Sequence, residues 1–176
     1  MANMKRNDSA VKKIAVYGLL IALALIFSYI EAQIPAFFAF PGMKLGLTNV
    51  VVLTALYKMG SGQAMGINIL RIGLVSVLFG GAAAFLYSLA GGMLSTAVMI
   101  LLKKTGFRTV TVSIAGGISH NIGQILVAMA VMNTAAIGWY LTVLWFTGMA
   151  SGTLIGIIGS ELCKRLPDSL FSGGDR

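Results

Sequence analysis

Long apolar segments follow one another along almost the whole chain, and lysines and arginines collect at alternate boundaries between them. Only 10% of the 176 residues are charged and 57% are hydrophobic, with a mean hydropathy of +0.90. Soluble domains carry about a quarter charged residues, so this chain cannot cover a surface that faces water. It reads as one all-α integral membrane domain, residues 1–166, with a polar tail at 167–176 that reads as frayed. At about 20 residues per crossing, six helices use most of the length.

The expected spans are about 13–34, 45–57, 62–79, 82–102, 110–132 and 135–162. The second is the odd one. Its length at about 1.5 Å per residue gives roughly 20 Å, short of a ~30 Å hydrocarbon core, so it is either a short crossing or a helix packed inside the bundle. Between the first two lies PAFFAFPGMK, Pro35–Lys44, an apolar loop expected to lie on the membrane surface or fold over a cavity. The basic N-terminus and following apolar run look like a signal peptide, but the run Ile14–Ile30 is too long for one and no A-x-A site follows. It is read as a retained first span.

The cations set an orientation. With the N-terminus inside, the inner segments hold Lys5, Arg6, Lys12, Lys13, Lys58, Lys103, Lys104, Arg108, Lys164, Arg165 and Arg176, and the outer loops hold Lys44. Six spans with both termini cytoplasmic satisfy the positive-inside rule; five would put Lys164 and Arg165 outside. The net charge of +8 is therefore a topology signal. No basic stripe is interleaved with aromatics, so nucleic acid is not an expected partner.

Arg71 breaks this pattern, because it lies within a span. A cation at the bilayer centre costs roughly 2.5–3.5 kcal/mol on insertion scales and is by default a functional-site residue. Asn68 is three residues before it, on the same helix face. His120, Asn121 and Gln124 share a face of the fifth span, at a depth similar to that of Arg71. Glu31 and Lys44 stand above them at the outer end, and Asn49 begins the second span. These eight residues form a candidate pocket for an anionic ligand. The alternative is internal: Arg71 paired with Glu31, and the amides joining helices. Gly116, Gly117 and Gly123 leave room for a ligand or for a close helix. Spaced small residues, Gly18 with Ala22 and Gly148 with Gly152 and Gly156, serve either internal packing or a docking face. Trp139 fits an interfacial aromatic belt.

Catalytic machinery is not expected. Of the acids Asp8, Glu31, Glu161, Asp168 and Asp175, only Glu31 falls near the pocket. Mg²⁺-dependent phosphoryl or prenyl transfer needs clustered carboxylates. A lone His is a poor metal site, and the single Cys163 excludes an internal disulfide. There is no G-x-x-x-x-G-K-[ST] for ATP. Binding or transport without a cofactor in this chain is the expected role.

The small-residue first helix (AVYGLLIALAL), the apolar first loop, PGMKLGLTNVVVL and GGISHNIGQ resemble the Gx transporter family, whose members also carry the name heptaprenyl diphosphate synthase component I. That family is similar to the substrate-binding (S) components of energy-coupling factor (ECF) transporters. The resemblance covers about Ala15 to Arg165. It implies a six-helix bundle in a prokaryotic plasma membrane that captures a vitamin-like or isoprenoid-like precursor from outside. Its implied partners are a transmembrane coupling protein and two cytoplasmic ATPases, which would use the ATP. The matching docking positions on the first helix are Ala15, Gly18 and Ala22. The alternative the family name implies is a noncatalytic membrane accessory of prenyl diphosphate synthesis.

Overall fold

The computed structural model describes residues 2–33 and 46–171. Its elements are α1 (Ala2–Gln33), α2 (Leu47–Lys58), α3 (Ser61–Leu78), α4 (Ala82–Lys104), α5 (Thr109–Val131), a 3-10 helix (Ala135–Tyr140), α6 (Leu141–Arg165) and α7 (Asp168–Phe171). Among the described residues, five helical stretches are long and apolar enough to cross a membrane: Ala10–Glu31, Ser61–Leu78, Ala82–Lys104, Thr109–Val131 and Ala135–Arg165. The chain is a multi-pass membrane protein by helix length and hydropathy.

α2 differs from these five. It has 12 residues, about 18 Å of helix, and the continuous run Val50–Leu56 is buried. A helix that is apolar all round is a buried helix. It packs against α1, α3 and α6 at the centre of the bundle, while the longer helices turn apolar side chains such as Ile14, Val77, Leu101 and Phe146 outward.

α5 packs between α4 and α6, and glycine makes both approaches possible. A side chain at Gly152 would stand 2.7 Å from Ile114 Cα, and one at Gly156 would stand 2.8 Å from Val110 Cα. Gly117 faces the Gly148 carbonyl, and Gly123 faces the backbone of Ala90 and Gly91. In lipid, helix association relies on such close contact. The α6 glycines and Gly123 therefore serve helix packing. The first-helix stripe is used differently. α1 turns Val16, Leu20 and Ala24 inward, whereas Ala15, Gly18 and Ala22 are exposed and Gly18 has open space where a side chain would project.

The α4 end shows how the sequence stops a span. Gly106 takes φ 84°, Gly106 N donates to Lys103 O and Phe107 N to Leu102 O, which is the paired closure of a Schellman motif. Lys103 then donates to the Leu56 carbonyl and lies 5.1 Å from the centre of the Tyr57 ring, tying α4 to the end of α2.

Three boundaries differ most from expectation. α1 begins at Ala2, well before the expected start near 13. The span expected from 135 begins instead as a 3-10 helix, after Asn133 at φ 48° and with Thr134 Oγ1 accepting from Ala136 N. The tail is not frayed from Pro167 onward. Asp168–Phe171 form α7, which buries Phe171 and is held by Lys58 Nζ to Asp168 Oδ1 at 2.6 Å and Lys12 Nζ to Ser169 O at 2.6 Å.

Candidate binding chamber

A cavity of about 190 Å³ opens where the six long and central helices converge. α1 contributes Ser28 and Glu31; α2 contributes Thr48 and Asn49; α3 contributes Arg71 and Ser76. Ser88 comes from α4, His120, Asn121 and Gln124 from α5, and Ser151 from α6. The depth count that placed Arg71 level with His120 thus corresponds to one shared chamber.

Arg71 is held from one side. Its Nη2 donates to Asn68 Oδ1 at 2.6 Å. Asn68 is itself fully buried, and its Nδ2 donates to Gly92 O at 3.0 Å and Thr96 Oγ1 at 2.9 Å, across to α4. The approach is close because position 92 is glycine: a side chain there would stand 2.6 Å from Ile72 Cδ1. Asn68 therefore does not line the chamber; it orients the guanidinium. Arg71 Nε is buried and meets no acceptor among the described residues. Among those residues the guanidinium also makes no ion pair. Glu31 shares the chamber, but its Oε1 accepts from Gly46 N, where the backbone turns at φ 71° into α2.

The α5 polar group divides its tasks. Asn121 Nδ2 donates to Leu144 O at 2.7 Å and joins α5 to α6. His120 and Gln124 face α4 at Gly91, where a side chain would stand 2.8 Å from His120 O and 3.0 Å from Gln124 Cγ. Lys44 and the loop Pro35–Lys44 lie outside the described residues. Glu31, Asn49, Arg71, His120, Asn121 and Gln124 are thus brought together, and Asn68 stands behind them. The sequence reading passed over the hydroxyls. Ser28 and Thr48 pair across α1 and α2 at 2.9 Å, and Ser76, Ser88 and Ser151 also line the wall. The signal for them is serine or threonine within an apolar span, shared with other hydroxyls of the same helices such as Thr54, Ser95 and Thr153.

A second cavity, of about 720 Å³, adjoins the first. Tyr87 of α4, Ile125 and Ala128 of α5, Trp139 and Tyr140 of the 3-10 helix and Leu144 of α6 give it an apolar wall. Ala84, Ser88 and Gln124 line both cavities. Among the described residues no three His, Cys, Asp or Glu side chains gather as a metal site.

Fold and chamber define a multi-pass helical membrane protein with a polar, cation-bearing cavity inside the bundle. Residues 20–162 match the heptaprenyl diphosphate synthase component I family, and the chain belongs to that family. It is also 32% identical over 124 residues, 67% of this chain, to a protein of Escherichia coli O7:K1 named as a multidrug resistance protein, MdtD. The match takes in 25% of the length of that relative. No solved structure matches the chain.

Proposed function

We propose that this protein is the substrate-capture subunit of a membrane importer, working as S components of ECF transporters do. It would take up a small, partly apolar anion from outside. The observation that carries the reading is Arg71, a cation within a membrane span that lines a cavity and forms no direct salt bridge among the described residues, Glu31 of the same cavity being turned to Gly46 N. Charge in such a place needs a counter-charge, and a ligand phosphate or carboxylate supplies it. Asn49, His120 and Gln124 offer hydrogen bonds around it. In this reading α2 completes a six-helix bundle with both termini cytoplasmic. The exposed Ala15, Gly18 and Ala22 stripe is the docking face for a coupling protein, whose two ATPases would supply the energy. The partial likeness to a multidrug resistance protein falls on the transport side.

Native mass spectrometry of the gently purified chain tests this. Wild type is expected to carry a small anion and to co-purify with coupling subunits. Arg71→Ala is expected to insert normally and carry none. An anion retained equally by the variant rejects the role of Arg71.

The family name favours a second reading, a noncatalytic membrane accessory of prenyl diphosphate synthesis. A soluble prenyl synthase assayed with isopentenyl and farnesyl diphosphates, with and without this chain, separates the two. A stimulated condensation rate supports the accessory role.

A further inference from the structure

Anion capture alone leaves the larger cavity without a purpose. The polar chamber holds about 190 Å³ and its neighbour about 720 Å³, and small-molecule sites typically span about 300–1,000 Å³. The two lie side by side and share Ala84, Ser88 and Gln124 as lining residues. One end presents a guanidinium and amides; the other presents Ile125, Ala128, Leu144 and aromatic rings. We propose, resting on the capture reading above, that the ligand is an anionic amphiphile with a single apolar tail. Its head stands beside Arg71, and its tail lies over α5 between α4 and α6. Gln124 and Ser88 sit at the junction, where head chemistry gives way to tail. Ala128 and Leu144 set how long and how broad the tail can be. The same chemistry belongs to a free solute and to a membrane lipid.

The full chain, purified in a neutral detergent, is titrated with methyl, butyl and octyl phosphate, with affinities referred to free probe. Each methylene withdrawn from water strengthens binding by about fourfold. Octyl phosphate is therefore expected to bind on the order of 100-fold tighter than butyl phosphate. Ala128→Phe, which fills the cavity, is expected to erase that gain; Leu144→Trp serves the same purpose if the first variant does not fold. Equal affinity for all three phosphates overturns the tail assignment and leaves anion capture standing. Binding of none overturns both. A chain-length gain that survives Arg71→Ala overturns the joined site, because the tail then binds without its head. Mass spectrometry of the same samples separates the sources. A single-chain phosphate lipid released by octyl phosphate supports a lipid ligand, the absence of one together with the chain-length gain supports a solute, and a two-chain phospholipid at the site, or any lipid that octyl phosphate cannot displace, overturns the proposal.

Discussion

Asn68 accepts a hydrogen bond from Arg71 Nη2 at 2.6 Å while its own amide nitrogen reaches across to the Gly92 carbonyl and the Thr96 hydroxyl. The guanidinium of α3 is thus tied to α4 through one buried side chain. The neutral anchor fixes the direction of the charge without cancelling it.

Asn68→Ala is expected to remove all three bonds. Side-chain hydrogen bonds within membranes average about 0.6 kcal/mol, and leaving partners unsatisfied adds to that, so the loss should be roughly 1–3 kcal/mol. Thermal unfolding in detergent measures it. Octyl phosphate affinity should fall as well, because Arg71 is no longer held. A variant as stable and as strong a binder as wild type contradicts the anchoring role.

Glu31→Gln keeps an acceptor for Gly46 N and removes the one acidic charge among the described lining residues. Anion affinity should rise, on the order of fivefold for a charge at this range in a partly screened site. Titration of the variant with octyl phosphate tests the sign, and weaker binding would show that Glu31 itself contacts the ligand.

Two glycines on different helices should behave in opposite ways. Gly152→Leu drives a side chain into Ile114 and should cost about 1–3 kcal/mol or more. Gly18→Leu meets open space and should leave the melting temperature of the isolated chain unchanged, yet abolish co-purification with coupling subunits. Retained co-purification would remove α1 as the docking face.

The α7 clamp rests on unequal contacts. The Lys58–Asp168 pair has side-chain exposures of 12% and 81%, so Asp168→Ala should cost under about 1 kcal/mol. Phe171 is buried, and Phe171→Ala should raise the undocked population by about tenfold or more. Limited proteolysis after Pro167 reads the difference.

α3, α4 and α5 were legible within two residues at each end, because long apolar runs bounded by glycine or lysine leave few alternatives. Arg71 and His120 were legible as neighbours because both sit about ten residues from the same side of their spans. Four features were not. The docking of α7 depends on Lys58, 110 residues away in the chain, and local composition shows only a polar tail. The separate uses of the α1 and α6 small-residue stripes depend on which face each helix turns inward, and both stripes have the same spacing. The apolar cavity is lined by Ile125, Ala128 and Leu144, residue types that are equally at home against lipid. The 3-10 start before α6 turns on the backbone at Asn133, where hydropathy says nothing.

The enclosure of α2 has a consequence for biogenesis. Eight of its 12 residues are shut away from the bilayer, so hydrophobicity toward lipid does little to keep it in place. Its seat exists only once α1, α3 and α6 surround it, and α6 is made long after α2 has left the ribosome. The centre of this protein is therefore the last part to settle. A slow or defective α6 would leave the α2 segment waiting at the membrane surface, within reach of quality-control proteases.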